Sequence, residues 1–192
     1  SESMAPGGGS IAAYVGVLGA SLGTMVANLS AHKPGWDDRW NFFSEWAIKG
    51  QQYKNDLLFL VDEDTNAFHK IMDGFRLPKT TSEEQQIRLK AIENATKYAT
   101  EIPLKVMETA YNSMEVMMAM AKEGIQNSLS DAGVGALCAR TAVIGAYFNV
   151  RINAKDIKDR VFAEKILNQA KETYLKAITL EQDMISLIDT RL

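Results

Sequence analysis

Cysteine and histidine are scarce in this sequence of 192 residues, which contains one cysteine, Cys138, and two histidines, His32 and His69. A single cysteine excludes an intramolecular disulfide, and one cysteine with two histidines cannot complete a common zinc site. We therefore expect an intracellular, cytoplasmic protein without a bound metal.

Excess charge of one sign is absent as well, because 21 basic and 24 acidic residues leave a net charge of −3. This balance argues against nucleic acid or an anionic membrane surface as a partner, so an anionic ligand would need a local basic group. With 46% hydrophobic residues and only 4 prolines, the composition is that of a folded globular protein. The length predicts a single domain over residues 1–192.

The stretch from Ser3 to His32 carries no formal charge, and its middle, Ile11 to Leu29, is long enough to span a bilayer. Because it is rich in glycine and hydroxyl side chains and lacks basic residues before it, we predict the buried central helix of a soluble bundle instead. Small residues along one strip of this helix predict tight helix packing or a dimer seam; they are Ala12, Gly16, Gly19, Gly23 and Ala27.

The rest of the chain predicts further helices and no strands. A long helix begins near Trp36 or Asp37 and runs to about Phe75. Thr81 and Glu84 form a capping-box pattern that starts the next helix. That helix reaches about residue 101, is restarted or kinked at Pro103 and ends at Gly124.

Two more helices complete the prediction. Ser130 or Asp131 is expected to cap a largely apolar helix over residues 132–150, and an amphipathic outer helix covers about 156–189. The methionines between residues 107 and 120 are interpreted as adaptable core filler. The fold class is therefore predicted as all-α, a compact multihelical bundle with buried central helices.

Standard enzyme motifs are missing, including the nucleophile elbow, the P-loop, the zincin motif and the dinucleotide fingerprint. Gly7, Gly8, Gly9 and Ser10 stand immediately before the first helix, where backbone N–H groups face the positive end of the helix dipole. This arrangement suits an anionic or carbonyl-bearing ligand. The alternative is a flexible loop with Ser10 as an ordinary N-cap.

Asp64 shares an apolar helix face with Phe68 and Ile71, whereas Asp62, two residues away, points elsewhere. Burying a carboxylate on such a face is costly unless it is paired or functional. Asp64 is therefore either a functional group or a structural aspartate with satisfied hydrogen bonds.

Asn149 and Asn153 are four residues apart and would stack on one side of a helix, either against a polar ring or as C-capping groups. Arg76, Lys79 and Arg88 surround one predicted loop. They are ordinary solvated charges or a clamp for carboxylates.

Five motifs follow one another in a fixed order: Ala5-Pro6-Gly7-Gly8-Gly9-Ser10, Val61-Asp62-x-Asp64-x-x-Ala67-Phe68, Arg76-Leu77-Pro78-Lys79, Ser130-Asp131, and Gly145-Ala146-Tyr147-Phe148-Asn149-Val150-x-Ile152-Asn153. Together they closely resemble the cyclodeaminase domain of formiminotransferase-cyclodeaminase and its bacterial stand-alone relatives, which include methenyltetrahydrofolate cyclohydrolases. The resemblance covers essentially the whole chain.

The resemblance implies an all-helical, homodimeric folate enzyme that converts 5-formiminotetrahydrofolate to 5,10-methenyltetrahydrofolate and ammonia, a step of histidine degradation. It implies no cofactor beyond tetrahydrofolate as the substrate, and it places the family's catalytic aspartate on Asp64. The rival activity is methenyltetrahydrofolate cyclohydrolase, and a helical interaction protein is the non-enzymatic alternative.

The same resemblance suggests where the folate binds. The glutamate tail, single or polyglutamylated, would be held by Arg76, Lys79, Arg88 or the turn from Gly7 to Ser10. Contacts to the pterin or the shape of the pocket would come from Asp131, Asn149 and Asn153. The chain lacks the transferase domain of the bifunctional enzymes, so a separate glutamate formiminotransferase is the expected partner.

Overall fold

The computed structural model describes residues 6–192 and consists of five α-helices joined by short loops and 3-10 turns. The helices are α1 (Gly8–Ala31), α2 (Trp40–Arg76), α3 (Ser82–Glu123), α4 (Leu129–Asn153) and α5 (Arg160–Asp189). No strand occurs among the described residues. The all-α prediction is therefore confirmed.

Helix α3 differs from the prediction because it continues through Pro103, which is buried inside it. A proline removes one helical hydrogen bond, but it does not end a helix whose surrounding contacts hold the backbone in place. The ends of α3 were predicted correctly. Thr81 and Glu84 form a complete capping box, and Gly124 is the C-cap.

Three helix starts differ from the prediction. Helix α4 begins at Leu129 after the N-cap Ser128, because a 3-10 turn leads directly into it, so neither Ser130 nor Asp131 is the cap. Helix α2 likewise begins only after a 3-10 turn over Asp37–Arg39. Helix α5 begins at Arg160, where the Asp159 side chain accepts a hydrogen bond of 3.1 Å from the Phe162 N–H.

Helix α1 lies at the centre of the bundle and packs against α2, α3 and α4. By length and composition alone, α1 and the segment Gln126–Asp156 are apolar enough to cross a membrane. Within the fold, 61% of the most apolar 18-residue stretch of α1 is buried. The side of α1 that packs against α2, α3 and α4 is buried as predicted, whereas its opposite side is exposed.

The small-residue strip of α1 makes contacts inside the subunit. A Cβ atom added to Gly19 would lie 2.7 Å from the Gly135 carbonyl oxygen on α4, and one added to Gly23 would lie 2.9 Å from the Met117 sulfur on α3. Two backbones approach so closely only where side chains are absent. The strip therefore provides tight helix packing, and its interpretation as a dimer seam is wrong because helices of the same chain cover it.

Helices α1 and α4 run antiparallel. A Cβ atom on Gly145 would lie 3.2 Å from the Cβ of Ala12, while the Gly19 end of α1 lies against Gly135, near the start of α4. This arrangement brings the C-terminal end of α4 to the N-terminal end of α1. The glycine motif and the paired asparagines of the sequence therefore meet at one end of the bundle.

The core around α1 is rich in methionine. Met107, Met114, Met117 and Met120 on α3 are at most 1% exposed. Their unbranched side chains fill the irregular space beside the glycine-rich helices α1 and α4. The interpretation of these residues as core filler is confirmed.

Candidate active site

A cavity of about 140 Å³ lies where the N-terminus of α1 meets α2, α3 and α4. Its wall combines backbone from the glycine motif with polar and apolar side chains. The lining residues are Gly7, Gly8, Gly9, Asp64, Thr65, Phe68, Ile71, Ala99, Asn149 and Asn153. The structure thus brings six of the sequence-predicted site residues together at one cavity.

Asp64 is partly buried on α2, and its carboxylate faces the first turn of α1. The Ser10 hydroxyl donates a hydrogen bond of 2.8 Å to Oδ2 of Asp64. Ser10 itself is 1% exposed. Asp62, in contrast, is exposed to solvent, which confirms that the two aspartates do not form a dyad.

The glycine motif lies partly within α1 and not wholly before it, because Gly8 is the first helical residue and Gly7 is the N-cap. The alternative in which Ser10 is the N-cap is therefore wrong. The first helical hydrogen bond runs from the Ile11 N–H to the Gly7 carbonyl. The N–H groups of Gly8, Gly9 and Ser10 precede it and have no acceptor within the helix.

Gly9 makes the closest contact between α1 and the aspartate. A Cβ atom at this position would lie 2.2 Å from Oδ1 and 2.7 Å from Oδ2 of Asp64. The carboxylate therefore rests directly on the helix backbone, and the requirement for glycine here is a requirement for space. Among residues 6–192, a Cβ atom at Gly8 would meet Asn149 alone, at an ordinary distance of 3.6 Å.

The two asparagines of α4 are both held by backbone carbonyl groups. Asn149 Nδ2 donates to the Gly145 carbonyl at 2.9 Å, and Asn153 Nδ2 donates to the Ala99 carbonyl of α3 at 2.7 Å. Neither caps α4, whose C-cap is Ala154, so the C-capping alternative is wrong. With one N–H group engaged in this way, each amide keeps an oxygen acceptor and a second N–H donor for other partners.

The cavity offers acceptors, donors and apolar surface in separate places. Asp64 and the two asparagine amides supply oxygen acceptors, and the first turn of α1 supplies N–H donors. Phe68 and Ile71 form the apolar wall. Such a cavity suits a flat ligand part that carries N–H groups or positive charge.

Within residues 6–192, no group of three or more His, Cys, Asp or Glu residues is arranged to hold a metal.

The predicted basic clamp lies outside the cavity. Arg76 is exposed and forms an ion pair of 3.0 Å with Asp73, and Arg88 donates to the Phe75 carbonyl. Lys79 is also exposed. Arg76 follows Asp64 by 12 residues on α2, a rise of roughly 18 Å. These residues do not line the cavity, and their role in binding a tail stays a prediction.

Asp131 lies in the first turn of α4, at the opposite end of that helix from Asn149. A separation of 18 residues corresponds to roughly 27 Å of helix rise. A single subunit therefore does not bring Asp131 to the cavity.

Four lining residues were not proposed as site residues from the sequence: Thr65, Phe68, Ile71 and Ala99. Phe68 and Ile71 were assigned to the same apolar face as Asp64, so that face was the signal that could have placed them. Thr65 adjoins Asp64 in the chain. Ala99 lies on another helix, and no local pattern connects it with the aspartate.

Comparison with known sequences extends over nearly the whole chain. A family model described as formiminotransferase-cyclodeaminase matches residues 1–172. The formimidoyltransferase-cyclodeaminase of Rattus norvegicus is 34% identical over 190 residues, which are 99% of this chain and 35% of that protein. The chain thus spans about a third of the length of this bifunctional relative.

A second kind of relative has nearly the same length as this chain. The methenyltetrahydrofolate cyclohydrolase of Methylorubrum extorquens is 31% identical over 191 residues, which are 100% of this chain and 92% of that protein. The crystal structure of formiminotetrahydrofolate cyclodeaminase from Thermotoga maritima superposes with a TM-score of 0.86 at 24% identity, covering 99% of this chain and 91% of the other. The whole-chain match, the shared fold and the assembled glycine, aspartate and asparagine motifs show that this chain belongs to the formiminotransferase-cyclodeaminase family.

Proposed function

We propose that this chain is a formiminotetrahydrofolate cyclodeaminase in which Asp64 carries the protons. The observation that carries the proposal is the partly buried carboxylate of Asp64, held by Ser10 and facing a cavity rich in oxygen acceptors. A group that accepts one proton and later returns it serves both halves of this reaction.

The reaction needs no covalent bond to the protein. N10 of the folate attacks the carbon of the protonated formimino group, whose C=N π bond breaks to leave an amino group, and the proton that N10 loses passes to the Asp64 carboxylate. Asp64 then protonates the amino group of the tetrahedral intermediate. The bond between carbon and this nitrogen breaks, ammonia leaves, and the lone pair of N5 completes the methenyl cation.

The acceptors around Asp64 support the choice of this reaction. The departing nitrogen gains N–H bonds as it becomes ammonia, and the oxygens of Asn149 and Asn153 can accept hydrogen bonds from it. Negative charge on Asp64 would also stabilise the positive charge that develops on the product. The apolar side chains of Phe68 and Ile71 suit the face of a pterin ring.

Methenyltetrahydrofolate cyclohydrolase is the second candidate, and the similarity over 92% of the length of the Methylorubrum extorquens enzyme favours it. In that reaction Asp64 would take a proton from the water that attacks the methenyl carbon. The same cavity and the same carboxylate would serve.

The purified chain should be incubated separately with 5-formiminotetrahydrofolate and with 5,10-methenyltetrahydrofolate, with methenyl absorbance and ammonia followed in parallel. Rising absorbance with one ammonia per methenyl group supports the cyclodeaminase. Loss of absorbance from the methenyl substrate alone, faster than in buffer, supports the cyclohydrolase. No turnover, together with no folate binding by calorimetry, would identify a helical interaction protein.

The proposal extends to the residues that hold the folate tail and to the enzyme that supplies the substrate. We propose that Arg76, Lys79 and Arg88 contact the folate's glutamate tail outside the cavity, since their guanidinium and ammonium groups suit carboxylates. A separate glutamate formiminotransferase would supply the substrate during histidine degradation in the cytoplasm. No cofactor beyond the folate is needed for the steps above.

We also propose that the chain works as a homodimer, through a surface that we call the α1/α4 face. Its apolar side chains form one stripe on each of these two helices. They are Ile11, Tyr14, Leu18, Met25 and Leu29 on α1, and Val134, Leu137, Phe148 and Ile152 on α4. Because the helices are antiparallel and in contact, we expect the two stripes to lie side by side.

The size of the α1/α4 face supports a second copy of the chain as the molecule that covers it. The nine side chains are 39 to 61% exposed, and at ~200 Å² for a large apolar residue they present on the order of 900 Å². Monomers rarely expose apolar patches above roughly 600 Å², and a stable dimer buries about 800 Å² per partner. Neither stripe contains a charge that would select an oppositely charged partner or an anionic bilayer.

A dimer through this face would also extend the small cavity. Phe148 and Ile152 of the face each adjoin a cavity residue, Asn149 and Asn153, along α4. Sites for ligands of this size usually enclose roughly 300 Å³ or more, whereas the cavity of one subunit measures about 140 Å³. A partner subunit would therefore add wall to the folate site.

A further inference from the structure

We propose that Ser10 is a positioning residue, whose hydroxyl holds Oδ2 of the Asp64 carboxylate and so keeps the carboxylate in one orientation at the cavity. The proposal rests on the proposed function, since it assigns how the proton carrier of that reaction is held in place. In this role Ser10 contacts Asp64 and not the substrate, whereas a substrate contact was expected from the sequence.

The hydrogen bond of Ser10 is unlike those of the other hydroxyl residues of α1. Ser21, Thr24 and Ser30 each donate to the carbonyl four residues earlier in their own helix, at 2.7 Å. Ser10 instead donates across to α2, at 2.8 Å from Oδ2 of Asp64. Of the four serine and threonine hydroxyls in α1, three thus donate to their own helix, and the fourth joins α1 to the carboxylate.

Contact with Gly9 completes the restraint on the carboxylate. Since a Cβ atom at Gly9 would lie 2.2 Å from Oδ1, this oxygen rests against the α1 backbone while Ser10 holds Oδ2. Rotation of the carboxylate would break the serine hydrogen bond. Adjacent residues of one helix turn therefore act on both oxygens, one by a hydrogen bond and one by close contact.

The serine hydroxyl can keep this bond while Asp64 gains and loses a proton. An ionised carboxylate accepts from Ser10 at Oδ2, and a carboxyl group protonated at Oδ1 still has a carbonyl oxygen at Oδ2. The Thr65 hydroxyl lies 3.3 Å from the Ser10 oxygen and can donate to it in both states. Ser10 therefore exchanges no proton with the ligand, which makes its role positional.

The test compares the wild type with Ser10→Ala, Ser10→Thr and Ser21→Ala in the cyclodeaminase and cyclohydrolase assays. Ser21→Ala is the matched control, because it removes a hydroxyl of the same helix that bonds only to that helix. We expect Ser10→Ala to lower kcat by about 10- to 100-fold with KM little changed. Ser10→Thr, which retains the hydroxyl, should recover most of the loss.

The split between kcat and KM, together with thermal unfolding, separates positioning from a general loss of stability. A positioning role predicts a lower kcat for Ser10→Ala, with KM and the unfolding temperature close to those of Ser21→Ala. Recovery of kcat by Ser10→Thr at an unchanged unfolding temperature would assign the effect to the hydroxyl group.

Three results would overturn the proposal. If Ser10→Ala keeps the wild-type kcat while the wild type is active, the positioning role is wrong and the proposed function stands. If Ser21→Ala loses as much activity as Ser10→Ala, the effect is a general destabilisation. If the wild type turns over neither folate, the proposed function fails and the role of Ser10 falls with it.

Discussion

Asn153 takes up the backbone acceptor that Pro103 leaves without a helical partner. In an α-helix the N–H of residue 103 would bond to the carbonyl of Ala99, but proline has no N–H. Asn153 Nδ2 donates to that carbonyl at 2.7 Å from the neighbouring helix. A missing hydrogen bond in α3 is thereby used to hold a cavity side chain of α4.

Replacing Pro103 with alanine should release Asn153. The restored N–H competes for the Ala99 carbonyl, so we expect KM for the folate to rise by about 3- to 10-fold. Because alanine favours a helix more than proline does, the unfolding temperature should not fall. Asn153→Ala should raise KM comparably, and the double variant should be no worse than either single one. Independent, additive effects would show that the two residues are not coupled.

Asp64→Asn should abolish most of the chemistry while it preserves the shape of the side chain. An amide neither accepts nor returns the proton, so we expect kcat to fall by about 10²- to 10⁴-fold with helical circular dichroism unchanged. Asp62→Asn is the matched control, because Asp62 is exposed on the same helix. Equal kcat values for the two variants would show that Asp64 is a structural residue.

Gly9→Ala should displace the Asp64 carboxylate. The added methyl group would lie 2.2 Å from Oδ1, too close to be accommodated without a shift. We expect kcat to fall by about 10²-fold or more, since a misplacement of about 1 Å can cost that much. Gly8→Ala should cost clearly less, because its methyl group would lie 3.6 Å from Asn149. A Gly9→Ala variant as active as Gly8→Ala would contradict the close contact.

Leu18→Glu should separate the proposed dimer. Leu18 is 44% exposed in the middle of the α1 stripe, where a charge would be buried against an apolar partner. Light scattering should show a dimer for the wild type and a monomer for the variant. Val161→Glu, at an 81% exposed position on α5, is the control and should stay dimeric. A monomeric, fully active wild type would exclude the proposed assembly.

Tyr98→Phe should lower stability mainly in the neutral range. The Tyr98 hydroxyl donates to Glu63, and this bond lowers the pKa of Glu63 and raises the pKa of Tyr98 to about 12. The stabilisation is present above the usual pKa of a glutamate and lost as Glu63 protonates below it; it is lost again as pH rises through about 12.

Urea unfolding at several pH values measures this difference. We expect Tyr98→Phe to lower the free energy of unfolding by roughly 1 kcal/mol at pH ~7, and by less at pH ~3. Tyr111→Phe is the control, because Tyr111 is likewise a partly buried tyrosine of α3. A difference between Tyr98→Phe and wild type that is independent of pH would place its cause elsewhere than in Glu63.

Local signals predicted much of this molecule. The capping box of Thr81 and Glu84 and the C-cap Gly124 mark the ends of α3 because the groups that satisfy a helix end lie close to it in the chain. The apolar face that includes Asp64 predicted its burial, since side chains three and four residues apart share a helix face.

The features that depend on distant segments were predicted less well. Pro103 was expected to interrupt α3, because the partner of the freed carbonyl, Asn153, lies 54 residues beyond Ala99. The small residues of α1 indicated a close neighbour without saying whether it belonged to the same chain. The position of Arg76, well away from the cavity, follows from the length of α2 beyond Asp64.

The cavity draws on residues as distant in the chain as Gly8, Asp64, Ala99 and Asn149, one from each of the first four helices. No pair of helices can form it alone, so a folate that binds there binds only the completed assembly of the four. Affinity and resistance to unfolding then become linked quantities, since each tenfold excess of ligand over Kd adds about 1.4 kcal/mol to the folded state. A folate bound in this cavity would therefore contact all four helices at once, and its concentration would change the stability of the protein.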